Sequence, residues 1–457
     1  MLFNSWIFAI FFAVVLAGHV ALARTRFRLP WLLAASWIFY GWLNPLYVAL
    51  IAYTTAVNYL CGIRIERSRA RSWLAVAVAN NILILGFFKY AGFVAENINS
   101  VLGLVSPDLL IPIPGKLLPI GLSFYTFIAT GYIIDVWRGE IDAERNPIRF
   151  ASFIAFFPYL LAGPIERAGN MLPQLSSPPG QRIENITEGM SLFVTGLFKK
   201  IALADFLALY ANRVFGEPAE YGAVTSLVAT YAYAWQIYFD FSGYTDMARG
   251  CARMMGYNLM LNFNNPYLSA SLGEFWQRWH ISLSSWFKDY LYIPLGGNRR
   301  GHAKTYRNMI LTMLAAGLWH GAAWNFVIWG GLHAIGRSVT RELEATRFYA
   351  EKIPRWVKQL FVFHFVCLTW VFFRAETFGE ALTVIGNILS FRLDDPLFPI
   401  VGILFIVAVW AYQFAFESRF KKMLESAAVK VGLMAAMILY MIFFRTSGYE
   451  VFLYFQF

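Results

Sequence analysis

The sequence predicts an all-α, polytopic membrane protein with about 11 to 12 transmembrane spans plus re-entrant and interfacial helices. Of its 457 residues, 58% are hydrophobic and only 14% are charged, whereas an ordinary soluble protein is about 25% charged. Apolar runs long enough to cross a bilayer, about 20 residues, recur along almost the whole chain. A soluble enzyme is therefore excluded, and we treat residues 1–457 as one membrane-embedded domain.

The charge balance predicts the orientation of the chain in the membrane. The 38 basic residues exceed the 27 acidic ones by 11, and in membrane proteins such an excess collects in cytoplasmic loops. We therefore attribute the positive charge to loops beside the lipid bilayer and expect no nucleic acid as a partner.

Five crossings are expected before the middle of the chain. Their apolar runs are Leu2–Leu22, Trp31–Trp42, Leu46–Cys61, Trp73–Phe88 and Leu117–Val136. Arginine clusters follow the first, third and fifth runs, which places these loops in the cytoplasm and the N-terminus outside. No Lys or Arg precedes the first run, so it is interpreted as an uncleaved span and not as a signal peptide.

The middle of the chain is less regular. Residues Ala151–Ile165 are apolar but carry Pro158, Gly163 and Pro164, which predicts a broken or re-entrant helix. The run Met190–Tyr210 is interrupted by two lysines, and Ala223–Phe239 is the next predicted span.

A hairpin is expected inside the apolar run Met309–Ile335. Basic clusters precede and follow this run, and a single crossing cannot put both in the cytoplasm. The small and polar residues from His320 to Asn325 mark where the chain would turn. Further spans are predicted at Trp356–Phe373, Leu397–Phe416 and around Met434–Phe444, which leaves the C-terminus outside.

His320 is the first candidate for chemistry, because it is an ionisable group deep in an apolar run. Such residues usually face a cavity or a partner group, and a desolvated neutral imidazole can accept a proton. A hydrogen-bonded interhelical histidine is the alternative. Neither a disulfide framework nor a metal site is expected, because the three cysteines lie far apart without metal-ligand spacing.

A second candidate, His280, lies in the motif from Glu274 to Tyr292. At helical spacing Phe275 and Trp279 share one face, which predicts an amphipathic helix that is either an interfacial anchor or the lining of a vestibule. The glycine-flanked pair Arg299 and Arg300 follows and is suited to a phosphate-bearing ligand.

The other motifs do little to distinguish between classes of membrane protein. The carboxylates Asp240 and Asp246 are expected to pair with Arg249 or Arg253, and no nucleotide-binding or nucleophile-elbow motif is present. From the residues alone, an enzyme, a transporter and a channel all stay open.

Several strings resemble the membrane-bound O-acyltransferase family. They are YFDFSGYTDMAR at 238–249, EFWQRWHISLSSWFKDYLYIPLGGNRR at 274–300, LWHGA at 318–322 and FLYFQF at 452–457. The likeness is to the bacterial branch that O-acetylates alginate, with peptidoglycan O-acetylating and teichoic-acid D-alanylating relatives. It covers nearly the whole chain, with core motifs at 118–337 and an acceptor-type tail at 449–457.

The resemblance implies a role for particular residues. His320 would be the catalytic base, His280 the second essential histidine, and Tyr454 an acyl carrier that hands the group to a secreted partner. The alternative for Tyr454 is an aromatic residue at the membrane interface. The residues expected to support these histidines or to bind the donor are Arg278, Asp289, Arg299, Arg300 and Asn325.

The function that the resemblance implies is acetyl transfer across a bacterial inner membrane. The donor would be a cytoplasmic thioester, acetyl-CoA, with no permanently bound cofactor and no metal. The acceptor would be an extracytoplasmic polysaccharide such as alginate, reached through a periplasmic acyltransferase partner. Peptidoglycan O-acetylation, D-alanyl transfer to a cell-envelope polymer, and transport without chemistry are the alternatives.

Overall fold

The protein is all-α throughout the part that the structure describes. This computed structural model describes residues 1–106, 109–115, 118–177, 180, 182–390, 392, 400–418, 420–424, 426–443 and 452–453. Its first ten helices are α1 Trp6–Ala21, α2 Arg28–Gly41, α3 Pro45–Ser68, α4 Arg71–Leu102, α5 Leu122–Arg138, α6 Pro147–Ala155, α7 Phe157–Leu160, α8 Ala168–Ser176, α9 Ile183–Phe198 and α10 Asp205–Gly216. The others are α11 Ala223–Met254, α12 Leu272–Arg278, α13 Ile281–Phe287, α14 His302–His320, α15 Trp324–Glu344, α16 Arg355–Arg374, α17 Phe378–Leu389, α18 Ile400–Phe416, α19 Lys421–Leu424 and α20 Ala427–Phe443.

Several helices are suited to a bilayer by length and composition. Among the described residues, α3, α4 and α16 are long and apolar enough to cross it, and α1, α17, α18 and α20 are shorter apolar helices. Large apolar side chains such as Phe87 on α4 and Leu404 on α18 are exposed, as expected of surfaces that face lipid. The all-α membrane class is confirmed; α17 is an apolar helix that the sequence prediction had missed.

The chain divides into two compact units. The first comprises Met1–Leu192 and Ala248–Met260, and the second comprises Phe193–Met247 and Leu261–Phe457. In the first unit, α3, α4 and α5 are joined by polar side chains: Asn58 and Asn81 exchange hydrogen bonds of 2.9 and 3.0 Å, and Asn81 also donates to Thr130 at 3.1 Å. Such amide and hydroxyl contacts are a common means of joining helices where water is absent.

The broken helix predicted in the first unit is confirmed. Helix α6 ends at Ala155, Phe156 has a non-helical backbone (ψ 109°), and the four-residue α7 begins at Phe157 with Pro158 in its first turn. Proline is tolerated there because the first amide groups of a helix have no intrahelical acceptor. The segment is buried, so its irregular backbone is enclosed by protein.

The second unit brings two lysines to the acidic residues of α11. The interrupting residues Lys199 and Lys200 begin a π-helical segment, Lys199–Ala204. A Cβ at Gly196 would lie 2.4 Å from the Gly243 carbonyl oxygen, so the backbones approach closely because both residues are glycine. Helix α11 runs 15 residues beyond the predicted span end at Phe239 and so includes Asp240 and Asp246.

The predicted hairpin is also confirmed. Helices α14 and α15 are joined by Gly321–Ala323, at the small-residue turn. A Cβ at Gly317 would lie 2.2 Å from the Phe326 carbonyl oxygen, and one at Gly330 would lie 2.4 Å from that of Met313. The two helices can pack this closely only because these positions lack side chains.

The single amphipathic helix expected from Glu274 to Tyr292 is wrong. Helix α12 ends at Arg278, His280 has a left-handed backbone (φ 42°), and α13 begins at Ile281. The break is stabilised by two backbone hydrogen bonds of 2.9 Å: the N–H of Asn264 donates to the carbonyl of Arg278, and the N–H of Ile281 donates to the carbonyl of Asn262. Phe275 and Trp279 are fully buried, so these residues are not a headgroup anchor.

Candidate active site

Three buried histidines alternate with two indole rings in the second unit. We call His280, Trp319, His320, Trp329 and His333 the histidine–aromatic cluster; the three imidazoles are 0%, 4% and 0% exposed. Ring centroids are 5.9 Å apart for His280 and Trp319, 5.0 Å for Trp319 and His320, 5.1 Å for His320 and Trp329, and 4.7 Å for Trp329 and His333. The structure thus brings the two predicted catalytic histidines to one indole, Trp319.

The hairpin fixes the position of His320. This histidine is the last residue of α14, and its ring also contacts Phe373 of α16 at 5.2 Å. Asn325, in the first turn of α15, donates a 2.8 Å hydrogen bond to the carbonyl of Ala375 just beyond α16. Asn325 therefore holds the turn beside His320 in place, and its contact supports a positioning role.

The break between α12 and α13 fixes the position of His280. Its ring lies edge-on to Phe241 at 4.6 Å and nearly parallel to Phe263 at 6.3 Å. Burial lowers the pKa of His280 to about 3, because an apolar environment disfavours the charged form. This histidine, in the turn outside the candidate spans, is therefore neutral at physiological pH.

His333 shows the interhelical role that the sequence left open for His320. Its Nε2 lies 3.0 Å from the hydroxyl oxygen of Thr369, which joins α15 to α16. The ring also packs against Trp276 at 5.0 Å. The sequence analysis assigned no function to His333.

Arg278 belongs to an ionic cluster at the end of α12. It pairs with Glu274 at 2.9 Å and with Glu417 at 3.1 Å, and Arg355 also pairs with Glu274 at 2.8 Å. These contacts tie α12 to the ends of α16 and α18. Arg278 thus has acidic partners of its own, which favours a supporting role over donor binding.

The predicted donor-binding loop lies at the opposite end of α14 from His320. Arg299 and Arg300 are exposed, and the glycines at 296, 297 and 301 have positive φ angles, which glycine adopts at no steric cost. Asn308 of α14 donates to the carbonyl of Gly297 at 3.0 Å and so ties the loop to the helix. With 19 residues, α14 separates the loop from His320 by roughly 28 Å.

The remaining candidates are Asp289 and Tyr454. Asp289 is half-buried in the π-helical segment Lys288–Tyr292. Tyr454 lies outside the described residues, of which Phe452 and Leu453 are its nearest neighbours in sequence.

Sequence reasoning had missed the partners of the carboxylates on α11. Asp240 pairs with Lys200 at 2.7 Å, and Asp246 pairs with Lys199 at 2.6 Å, whereas Arg253 pairs with Glu188 at 2.8 Å. The signal was present, because two lysines that interrupt an apolar run require buried acidic partners.

Comparison with known proteins agrees with the geometry. Residues 140–378 match the model of MBOAT, the membrane-bound O-acyltransferase family. The chain is 42% identical over 398 residues to the probable alginate O-acetylase AlgI of Azotobacter vinelandii, an alignment that covers 86% of this chain and 78% of the relative. The corresponding protein of Pseudomonas aeruginosa is 41% identical over 400 residues, covering 86% and 75%.

A relative with a different acceptor is nearly as similar. The peptidoglycan O-acetyltransferase of Helicobacter pylori is 36% identical over 427 residues, which cover 85% of this chain and 80% of that protein. The chain therefore belongs to the membrane-bound O-acyltransferase family. It is a membrane-embedded acyltransferase, and the resemblance indicated by its motifs is confirmed.

Proposed function

We propose that this acyltransferase moves an acetyl group from cytoplasmic acetyl-CoA toward an extracytoplasmic polysaccharide, with His320 and His280 as its catalytic residues. The observation that carries this proposal is the contact of both imidazoles with Trp319 in a buried, aromatic environment. Two histidines from different segments, enclosed and close to one indole, can act on one substrate carbonyl.

The proposed first step is acyl transfer to a hydroxyl group. Neutral His320 takes the proton of that hydroxyl as its oxygen attacks the thioester carbonyl. His280, neutral because of its burial, donates a hydrogen bond to the developing oxyanion. The carbon–sulfur bond then breaks, and the thiolate leaves with the proton that the His320 imidazolium returns.

Tyr454 is the proposed acceptor of this step. In acidity, a phenol with a pKa of about 10 is intermediate between a thiol with a pKa of about 8.5 and the less acidic sugar hydroxyls. The acyl group therefore passes to successively poorer leaving groups, from thioester to aryl ester to sugar ester. A periplasmic acyltransferase partner would complete the second transfer.

The donor's phosphates would bind at the basic loop. Arg299 and Arg300 are exposed beside the N-terminus of α14, and guanidinium groups and a helix N-terminus both favour phosphate. The alternative donor, a D-alanyl thioester on an acidic carrier protein, would also be attracted to positive charge.

The relatives support the proposed acceptor and location. The alginate O-acetylases at 41–42% identity support alginate or a related polysaccharide over peptidoglycan, whose acetyltransferase is 36% identical. We propose the bacterial inner membrane, with both termini outside. Transport without chemistry is set aside because the family is one of acyltransferases.

The carrier role of Tyr454 can be tested by mass spectrometry. The purified protein in lipid nanodiscs is mixed with isotope-labelled acetyl-CoA, and its C-terminal peptide is analysed without the periplasmic partner. We expect a labelled acetyl group on Tyr454, absent from Tyr454→Phe and retained in Tyr412→Phe, which alters an exposed tyrosine of α18.

Other outcomes separate the alternatives. A mark from a D-alanyl carrier-protein thioester, and none from acetyl-CoA, would replace the proposed donor. An unmarked tail combined with full polymer acetylation by Tyr454→Phe cells would refute the carrier role while leaving the family assignment intact.

A further inference from the structure

The described part of the C-terminal tail is held inside the second unit. Phe452 and Leu453 are 3% and 7% exposed. The backbone N–H of Leu453 donates a 2.8 Å hydrogen bond to Oδ2 of Asp240. The Phe452 ring stacks on Tyr244 at 4.7 Å and contacts Phe241 at 5.9 Å. One buried carboxylate and two rings of α11 therefore hold these two tail residues.

The other oxygen of Asp240 belongs to a buried ionic triad. Lys200 lies 2.7 Å from Oδ1 of Asp240 and 2.8 Å from Oδ1 of Asp205, and all three side chains are at most 7% exposed. One ammonium between two carboxylates gives these three side chains a net negative charge. Burying a charge costs free energy unless the charge is hydrogen-bonded, so an additional N–H donor to Asp240 is favourable. The Leu453 N–H of the tail is that donor.

The ring that follows Asp240 connects the tail to the histidines. Phe241 contacts both Phe452 of the tail and the imidazole of His280, at 5.9 and 4.6 Å. Phe452 and His280 thus pack against the same ring, that of Phe241. Tyr454, the next residue in the sequence, is the proposed acyl acceptor.

We propose that Asp240, oriented by Lys200 and Asp205, is a positioning residue that anchors the C-terminal tail through the N–H of Leu453. This inference rests on the proposed function, because the anchor matters for catalysis only if Tyr454 accepts the acyl group. We call Asp240, Lys200, Asp205 and the Leu453 N–H the tail anchor. The alternative is an ionic triad that only joins the π-helical segment to α11.

The tail anchor can be tested by removing its donor. Leu453→Pro lacks the backbone N–H, and Leu453→Val retains it with a side chain of similar size. Amide exchange in the C-terminal peptide is followed by mass spectrometry on the whole protein in nanodiscs. We expect about tenfold to hundredfold faster exchange in Leu453→Pro than in Leu453→Val, as for loss of a hydrogen bond to a charged group.

The acceptor side is tested by Asp240→Asn, with Asp246→Asn as its control. Both variants neutralise a carboxylate of α11 that pairs with a lysine. We expect Asp240→Asn, but not Asp246→Asn, to accelerate tail exchange. Combining Asp240→Asn with Leu453→Pro should add little, because both changes act on the same hydrogen bond. Acetylation of Tyr454 should fall at least tenfold in each anchor variant while the melting temperature of Leu453→Pro stays near that of Leu453→Val.

The results distinguish failure of the anchor from failure of the carrier. Unchanged tail exchange in both Leu453→Pro and Asp240→Asn would overturn the anchor. Faster exchange with undiminished tyrosine acetylation would overturn the positioning role of Asp240 in catalysis. A wild-type tail that never carries an acyl group would refute the carrier proposal, and with it the catalytic purpose of the anchor. Exchange, measured without donor, would still show whether Asp240 holds the tail.

Discussion

Helix α14 joins two regions with opposite physical character. Its first turn follows an exposed, glycine-rich loop with Arg299 and Arg300, whereas its last residue is His320, 4% exposed among aromatic rings. Roughly 28 Å of helix separates them. Charge at one end suits the capture of an anionic donor, and the desolvated imidazole at the other suits proton transfer.

The difference shows that binding and chemistry need different surroundings. Guanidinium groups at a wet surface attract phosphate without an initial desolvation cost. A base and an oxyanion donor act more strongly where water is excluded. Substitutions at the buried end should therefore lower kcat or stability, and those at the exposed end should raise KM.

The largest expected effect is at the buried end. His320→Ala should lower acyl transfer about 10²- to 10⁴-fold, the usual contribution of a general base. Transfer is measured from labelled acetyl-CoA in nanodiscs. His302→Ala, an exposed histidine at the other end of α14, serves as the control. Equal activity in the two variants would remove His320 from the mechanism.

The next largest effect is expected on stability, where α14 and α15 pack closely at Gly330. A Cβ at Gly330 would lie 2.4 Å from a backbone oxygen, whereas one at Gly331 would meet its nearest atom at 4.0 Å. Gly330→Ala should cost about 1–3 kcal/mol through overpacking and lower the transfer rate, because Trp329 is adjacent. Gly331→Ala should resemble the wild type. Thermal unfolding of both variants in detergent checks the prediction, and equal melting temperatures would contradict it.

The buried neutral His280 predicts a pH effect on stability. Its folded pKa of about 3 lies below the unfolded value of about 6.5, so the unfolded state binds the proton first as pH falls. This histidine should cost the wild type about 2 kcal/mol of stability between about pH 8 and pH 5. His280→Gln should lack that loss. Melting curves of both proteins over this range provide the test, and parallel pH dependences would refute it.

The smallest effect is expected at the exposed end of α14. Arg299→Gln and Arg300→Gln should together raise KM for acetyl-CoA about tenfold with kcat unchanged, because they remove ground-state binding. Arg347→Gln, whose side chain is 95% exposed, is the control for loss of surface charge. A fall in kcat without a change in KM would assign these arginines a role other than donor capture.

Some features could be predicted because their causes are local in sequence. The broken helix at Phe156 follows from a proline in an apolar run, and the turn after His320 follows from small residues between two basic clusters. His320 was a candidate because it is an ionisable group in an apolar run, and the resemblance gave both His320 and His280 a catalytic role; in the structure both rings contact one indole. The break at His280 was not predictable, because residues 262–264 supply its backbone hydrogen bonds.

The sequence by itself determined an all-α membrane protein, its hairpin and the family that its motifs resemble, because hydropathy and charge order act along the chain. Only the tertiary structure decided which distant groups meet: Lys200 with Asp240, Trp319 with His280, and Leu453 with the same aspartate. Buried charges and backbone donors take whichever partner packing brings within reach. That choice depends on close helix approaches, such as Gly196 against Gly243.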